Sequence, residues 1–142
     1  MSGLDIHLIP SEQMRIILPL VRQLNPGIPE HTLAERLQQM IAGGYQCVGA
    51  FDSNELIAIA GVWMNTRLYC GRFLEVDNFV VDEKYRRASV GRKLMDWIEQ
   101  YGKDLHCLVN VLDCYVTNTR AHRFYFARGC RIIAFHFSKD LN

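Results

Sequence analysis

The chain has 142 residues, a length that suits one domain with one hydrophobic core. Apolar residues make up 49% and charged residues 22%, and the formal net charge of +1 argues against nucleic acid or an anionic membrane as a partner. No run approaches the roughly 20 apolar residues that cross a bilayer, and the first residues do not resemble a signal peptide. We therefore expect residues 1–142 to form a single cytoplasmic domain.

The use of cysteine favours the same compartment. The cysteines are odd in number and no two of them form a C-x-x-C pair: Cys47, Cys70, Cys107, Cys114 and Cys130. Such spacing is typical of reduced cysteines that serve as small apolar residues. We expect neither disulfides nor a bound metal ion.

The first third of the chain predicts one strand and two helices. Residues 4–9 alternate weakly, as in an edge strand, and Ser11 can cap the first helix. Pro19 predicts a kink or an early end in that helix. A second helix is expected to begin at Thr32 and to end at the glycine pair 43–44.

The middle of the chain predicts three strands and a helix. Residues 45–52 and 55–64 are apolar runs joined by turn residues, which indicates an antiparallel hairpin. Residues 72–82 form a longer strand. A helix over 90–101 follows, and the apolar run 105–112 after it suggests a parallel crossover.

The last third predicts a helix and a final strand. Thr117 or Asn118 begins the helix, and Gly129 is a natural C-cap. Residues 131–137 alternate between apolar and other side chains and predict the strand. The order of elements indicates a single α/β or α+β domain.

The turn between the long strand and the helix at 90–101 is a candidate anion site. It is rich in small and basic residues, including Arg86, Arg87 and Arg92. The first N–H groups of a helix have no partner within the helix, and the helix dipole favours negative charge there. The turn could therefore hold a phosphorylated cofactor, and a plain connection with a solvated basic turn is the alternative.

Two carboxylates precede this turn in the long strand. Glu75 and Asp77 lie two residues apart, so both side chains project from one face of the sheet. Carboxylates on a sheet face cost free energy unless they are solvated or paired. They predict a cleft, a salt bridge or a bulge that redirects them, and a catalytic role competes with a structural ion pair.

Two polar residues of the last helix have ordinary structural interpretations when taken alone. Asn118 is a typical helix cap. Tyr125 lies between Phe124 and Phe126, and three successive aromatic residues cannot all face the core. Tyr125 has the polar tip and is the one expected to point elsewhere, although a core tyrosine with a bonded hydroxyl is the alternative.

Two stretches together resemble a known family. V-V-D-E-K-Y-R-R-A-S-V-G-R-K-L, residues 80–94, resembles the coenzyme A-binding motif of the GNAT superfamily of N-acetyltransferases, with Arg86 in its first place and Gly91 in its last. N-T-R-A-H-R-F-Y-F-A-R-G-C, residues 118–130, resembles the family's second signature. Ser89 stands where the family usually has Gly, and Cys130 where Phe is usual.

The resemblance implies a fold and a cofactor. The fold would be α/β (α+β), with a mixed, mostly antiparallel central sheet of six to seven strands flanked by about four helices. The sheet would be splayed between its fourth and fifth strands. The cofactor would be acetyl-coenzyme A as the acetyl donor, without a metal ion.

The resemblance also implies roles for individual residues. Backbone N–H groups of the central turn would cradle the pyrophosphate: Arg86, Arg87, Ala88, Ser89, Val90, Gly91 and Arg92. The backbone of the preceding strand would pair with the pantetheine arm through Phe79, Val80 and Val81. Asn118 would contact the cofactor arm, and Tyr125 would approach the sulfur.

The implied activity is direct acetyl transfer to a primary amine of a small molecule or a protein. Such an amine is mostly protonated at neutral pH, so a base must remove a proton, and Glu75 and Asp77 are the candidates. A backbone N–H near Val80 would stabilise the oxyanion, and Tyr125 would protonate the leaving thiolate.

Other functions stay open at this point. A non-catalytic acyl-coenzyme A-binding or interaction module on the same fold is the alternative, since fold does not fix function, and Ser89 favours it. A Rossmann-like nucleotide-binding domain would need a G-x-G-x-x-G motif, which the chain lacks. The resemblance is compatible with a homodimer.

Overall fold

The structure is a computed structural model that describes residues 3–86 and 89–142. Two of the predicted pyrophosphate-binding residues, Arg87 and Ala88, lie outside the described residues. Contacts between residues divide the chain into two compact units, Met1–Val111 and Leu112–Asn142.

A five-stranded mixed sheet occupies most of the first unit, in the order β1-β2-β3-β4-β5. Neighbouring strands from β1 to β4 pair antiparallel, and β5 lies parallel to β4. The strands are β1 Leu4–Leu8, β2 Gln46–Asp52, β3 Glu55–Arg67, β4 Gly71–Val81 and β5 Val109–Leu112. The predicted mixed and mostly antiparallel architecture is confirmed.

Four α-helices and two short 3₁₀ segments accompany the strands in the described residues. The 3₁₀ segments span Ser11–Ile17 and Glu83–Tyr85. The α-helices are α1 Leu18–Leu24, α2 Glu30–Ala42, α3 Val90–Asp104 and α4 Thr119–Ala127.

Two prolines explain where the first helices begin. Pro19 lies in the first turn of α1, where its missing N–H leaves no helical bond unmade, so it marks a boundary and does not kink a continuous helix. The predicted start of α2 at Thr32 is wrong. Pro29 occupies the N-cap position and α2 begins at Glu30.

The first unit buries apolar side chains on both faces of its sheet. One cluster joins α1 and α2 to inward residues of the strands, including Cys47, Ile59 and Val80. Helix α3 covers the other face through side chains that are almost completely buried: Val90, Leu94, Met95 and Ile98. The central strands are therefore covered on both sides, which explains their nearly continuous apolar sequence.

The predicted strand over 131–137 is wrong, and the sheet of the described residues has five strands instead of six to seven. Residues 130–142 form no strand or helix. The side chains whose alternation suggested a strand are largely exposed, with Ile133 at 58%, Phe135 at 80% and Phe137 at 90%. Alternation indicates a strand only where a neighbouring strand pairs with it, and the sequence does not reveal that partner.

Among the helices of the described residues, none has the length and apolar content needed to cross a membrane.

Candidate active site

Strand β4 carries both candidate bases on one face. Glu75 and Asp77 are half-buried, whereas the alternating residues Leu74 and Val76 are buried. The site of a Cβ on Gly102 of α3 lies 3.8 Å from Leu74, so the buried residues face α3. The carboxylates consequently project to the opposite face, on the side of α1 and α2.

The two carboxylates have different surroundings. The indole Nε1 of Trp63 donates a hydrogen bond of 3.1 Å to Oδ2 of Asp77. Glu75 lies opposite Trp63 in the register between β3 and β4, and its carboxylate has no hydrogen bond or ion pair with another described residue. Glu75 is therefore the carboxylate without a side-chain partner among the described residues, and Asp77 is anchored by Trp63.

A bulge interrupts β4 directly after Asp77. Asp77 pairs with Gly61 and Val80 pairs with Ile59, so two residues of β4 face the single residue Ala60. Asn78 has a φ of 56°, a left-handed conformation that asparagine tolerates better than most residues. A bulge was one of the three arrangements that the sequence left open, and it lies after the carboxylates, before the proposed pantetheine strand, without redirecting them.

The bulge sets the faces of the residues that follow it. A Cβ built on Gly91 of α3 would contact Phe79 at 3.6 Å and Val81 at 3.7 Å, so these two side chains face α3. Val80 lies in the cluster on the opposite face. A Cβ at position 91 would therefore point toward β4 and make ordinary contacts there, and it would not point at the turn.

The second half of β4 extends beyond its parallel neighbour. The N–H of Leu108 donates to the carbonyl of Arg72 at 2.8 Å, which joins the two chain segments near the start of β4. β5 has four residues and β4 has eleven. The last residues of β4 therefore present N–H and C=O groups to an edge without a strand partner in the described sheet, which is the predicted splay.

The turn after β4 is built from a 3₁₀ segment and a left-handed residue. The Asp82 side chain accepts a hydrogen bond of 3.2 Å from the N–H of Lys84 and caps the 3₁₀ segment. Arg86 follows and is exposed. Ser89 then has φ 61° and ψ 17° and makes no side-chain capping bond to α3.

The first turn of α3 carries positive side chains and N–H groups without a partner in the described part of the chain. The first helical hydrogen bond runs from the N–H of Lys93 to the carbonyl of Ser89. In the described residues, the N–H groups of Val90, Gly91 and Arg92 have no hydrogen-bond partner. The first turn has no acidic residue, although it includes Arg92 and Lys93. Positive side chains at this end of a helix are unfavourable unless an anion binds there.

The second unit holds the remaining predicted residues. Asn118 is the N-cap of α4, and its Oδ1 accepts a hydrogen bond of 3.2 Å from the N–H of Ala121. Tyr125 lies within α4, and its ring meets that of Phe124 edge-on at 5.4 Å. Gly129 has a φ of 87° just beyond the helix, as expected for its end.

Burial raises the pKa of Tyr125 to about 12, with smaller contributions from Cys114 and Cys130. The hydroxyl therefore stays protonated throughout the neutral range. A thiolate has a pKa near 8.5, so full proton transfer from this hydroxyl would be uphill by roughly 5 kcal/mol. Tyr125 can donate a hydrogen bond more readily than it can give up its proton.

Sequence reasoning missed three residues that surround Asp77. Trp63 donates to it, and Tyr45 donates from its hydroxyl to Oδ1 of Asn78 at 3.0 Å. The rings of Tyr45 and Trp63 are 5.3 Å apart. The one available signal was Asn78, a polar residue in an otherwise apolar run.

Comparison with known proteins gives the family. The sequence model described as "Acetyltransferase (GNAT) family" matches residues 16–130. Glucosamine 6-phosphate N-acetyltransferase of Arabidopsis thaliana is 28% identical over 75 residues, which are 51% of this chain and 50% of that protein. The match thus spans about half the length of this curated relative.

Two solved structures share the fold. A ribosomal-protein-alanine N-acetyltransferase from Brucella melitensis has a TM-score of 0.83 at 17% identity, covering 99% of this chain and 100% of that chain. An aminoglycoside N-acetyltransferase in complex with CoA has a TM-score of 0.81 at 19% identity, covering 100% and 97%. With a sequence match that extends over most of its length, the chain belongs to the GNAT family of acetyltransferases.

Proposed function

We propose that residues 1–142 act as a single domain that transfers an acetyl group from acetyl-coenzyme A directly to a primary amine. The observation that carries the proposal is the sequence of three features along one stretch. Among the described residues, a strand face bears a carboxylate without a partner, a strand edge without a neighbouring strand follows, and a helix N-terminus whose N–H groups have no partner comes next. The first feature suits an amine, the second an amide-containing arm and the third a pyrophosphate.

The pyrophosphate would bind at the start of α3. The N–H groups of Val90, Gly91 and Arg92 supply donors, and the exposed side chains of Arg86 and Arg92 supply positive charge. Arg87 and Ala88, together with Ser89, complete the proposed set of contacts. The absence of an acidic residue from the first turn of α3 supports this assignment.

The pantetheine arm would pair with the free edge of β4. The backbone of Phe79, Val80 and Val81 directs the groups of alternate residues to this edge, and an extended amide chain can add to it in the manner of a strand. Asn118 would contact the arm through its Nδ2, because its Oδ1 already caps α4. This geometry would leave the thioester next to the bulge.

Glu75 is the proposed general base. An amine with a pKa near 10.4 is mostly protonated at neutral pH, and its lone pair must be freed before it attacks the thioester carbon. Glu75 would accept that proton, directly or through water, while Asp77 is held by Trp63. The carboxylates favour an enzyme over a non-catalytic acyl-coenzyme A-binding module, which would not need them.

Attack by the amine forms a C–N bond and a tetrahedral oxyanion. A backbone N–H near Val80 would donate to that oxygen. The nitrogen then gives a second proton to solvent, and collapse of the intermediate breaks the C–S bond and yields the amide and the coenzyme A thiolate. Tyr125 would stabilise the thiolate with a hydrogen bond, and the thiolate takes its proton from solvent or from the acid form of Glu75.

The acceptor is proposed to be a small-molecule amine. The sequence relative named for glucosamine 6-phosphate supports this choice, and so does the structural neighbour named for aminoglycosides. A protein amine is the second candidate, because a neighbour with a TM-score of 0.83 is named for ribosomal-protein alanine.

The five cysteines are unpaired, which supports a cytoplasmic location.

We also propose a homodimer in solution. The exposed apolar side chains of residues 131–137 support it, because burying them against a second copy would remove apolar surface from water. Light scattering coupled to gel filtration should give twice the chain mass. A measured mass equal to that of one chain at micromolar concentration would contradict the dimer.

The test is thiol release from acetyl-coenzyme A with a panel of amines. The panel includes amino sugars, aminoglycosides and a peptide that begins with alanine. Sustained release with one amine, and Glu75→Gln lowering kcat about 100-fold with loss of the acidic limb of the pH–rate profile, would support the enzyme. Asp104→Asn, an exposed carboxylate at the end of α3, is the control and should leave the rate unchanged. Coenzyme A binding without turnover of any amine would favour the binding module.

A further inference from the structure

The buried hydroxyl of Tyr45 forms a hydrogen bond with the bulge of β4. Tyr45 is 2% exposed, and its hydroxyl donates to Oδ1 of Asn78 at 3.0 Å. Asn78 is the residue with φ 56° and lies at the register shift between β3 and β4. The two residues are 33 positions apart in the chain, so the bond links the bulge to the end of α2.

Tyr45 is itself held firmly in place. Its N–H donates to the carbonyl of Met40 at 2.9 Å, and the N–H of Gly44 donates to the carbonyl of Ile41 at 3.1 Å. This pair of hydrogen bonds is a Schellman cap at the C-terminus of α2. Gly44 has the positive φ of 104° that this cap requires. The hydroxyl is therefore presented by a rigid helix end.

The side chain of Tyr45 occupies the space that the missing side chain of Gly61 leaves on the sheet. A Cβ on Gly61 would collide with the ring and hydroxyl of Tyr45. Gly61 is also the residue that pairs with Asp77, immediately before the bulge. Burial, with smaller contributions from Cys47 and Asp77, raises the pKa of Tyr45 far above its ordinary value, so the hydroxyl remains a donor at every pH of interest.

The bulge determines which backbone groups reach the free edge of β4. In a regular strand, N–H and C=O groups point to alternate edges with a period of two residues. One extra residue at Asn78 therefore exchanges the edges to which Phe79, Val80 and Val81 direct their N–H groups, compared with an unbroken strand of this sequence. A bulge that relaxed would misplace the donors beside the thioester.

We infer that Tyr45 is a positioning residue for acetyl transfer, which acts by fixing the left-handed conformation of Asn78 through its hydroxyl. The inference rests on the proposed function for its catalytic consequence. Tyr45 is 2% exposed, so we expect it to contact neither coenzyme A nor the amine. Its effect passes through Asn78 to the N–H groups of the β4 edge.

The decisive variant is Tyr45→Phe, which removes one oxygen and keeps the ring. We expect kcat to fall about tenfold, because a relaxed bulge would misplace the backbone N–H groups that the proposed reaction uses. Tyr101→Phe is the matched control, because the Tyr101 hydroxyl also donates to a side-chain amide oxygen, Oε1 of Gln46 at 2.9 Å, away from the bulge. Equal kcat values for both variants would overturn the inference.

Substitutions at Asn78 separate positioning from general destabilisation. Asn78→Asp keeps an acceptor and should retain most of the rate, whereas Asn78→Gly keeps the left-handed freedom but loses the acceptor. In the Asn78→Gly background, adding Tyr45→Phe should lower kcat by less than twofold. A full additional tenfold loss would show that Tyr45 acts by another route.

Backbone chemical shifts of Asn78 test the same bond without turnover. In the unaltered chain they should report positive φ, and in Tyr45→Phe they should move toward extended values. If no amine is acetylated but the shifts change in this way, the proposed function fails, and the inference that Tyr45 fixes the conformation of Asn78 is still supported. Unchanged shifts in Tyr45→Phe would refute the inference that the Tyr45 hydroxyl fixes this conformation.

Discussion

Ser89 combines an unfavourable backbone conformation with an unused side chain. Its φ of 61° costs an L-residue roughly 1–2 kcal/mol relative to an ordinary conformation. Its hydroxyl makes no capping bond to α3. The position explains physically why glycine would be the usual residue there.

Ser89→Gly should raise the free energy of unfolding by about 1 kcal/mol, since glycine adopts positive φ without a Cβ penalty. It should also lower the Kd for coenzyme A, because the Cβ beside the proposed pyrophosphate site disappears. Urea unfolding and calorimetry measure the two effects. Ser53→Gly is the control: Ser53 has a φ of 50° in the β2–β3 turn and should change stability alone. A weaker affinity in Ser89→Gly would show that the hydroxyl contributes to binding.

Tyr125→Phe should lower kcat about tenfold and leave the Kd for coenzyme A unchanged, because a neutral hydroxyl would bond only to the developing thiolate. Steady-state kinetics and calorimetry distinguish the two parameters. Tyr115→Phe is the control, since Tyr115 is 86% exposed in the same unit. A Tyr125→Phe enzyme with the full rate would remove this residue from the mechanism.

Residue types and spacing could locate Glu75 and Asp77, but they could not show that the two carboxylates have different hydrogen-bond partners. Trp63 is 14 positions from Asp77 and Tyr45 is 33 positions from Asn78. These partners meet only because β2, β3 and β4 pair in a particular register, which a single sequence does not reveal. The anchored and the free carboxylate therefore became distinguishable only in the structure.

At the scale of elements, the cap of α2 has a measurable role. Gly44→Ala should cost at least about 1 kcal/mol of unfolding free energy, because alanine is strained at a φ of 104°. Gly27→Ala is the control: its Cβ meets nothing within 4 Å and its φ is not positive, so stability should change little. Thermal unfolding measures both variants. Equal melting temperatures would contradict the proposed requirement for glycine in the cap.

Local patterns predicted the elements whose causes are local. The β2–β3 hairpin is confirmed, because the turn residues between two apolar runs decide it. Asn118 is confirmed as the cap of α4, since the bond to Ala121 spans three residues. The strand at 131–137 was wrong because its formation depends on a distant partner.

At the scale of the whole molecule, two buried groups and the half-buried Tyr125 make stability depend on alkaline pH. Burial raises the pKa of the Cys47 thiol to about 12 and that of Tyr125 to about 12, and it raises the pKa of Tyr45 further. Each group is neutral in the fold and ionises more easily when unfolded. Their contribution is complete below the unfolded pKa values, near 9 for Cys and 10 for Tyr, and is lost as pH rises through the folded values.

The free energy of unfolding should therefore decline steadily from about pH 9 toward pH 12. Urea titrations between pH 7 and pH 11 measure the slope. Cys47→Ala should reduce this slope, because it removes one of the three groups. A decline that is equally steep in Cys47→Ala would exclude the buried thiol as a cause.

The bulge has a consequence for chain length. Strand β4 contains one residue more than its pairing with β3 uses, and that residue is Asn78. If Asn78 were deleted, Asp77 and Val80 would remain on one face and Phe79 and Val81 on the other. The core would keep its composition while the strand became straight. Deletion of the single residue Asn78 is thus the smallest change that would remove the bulge and leave the faces and the pairing of the later residues as they are.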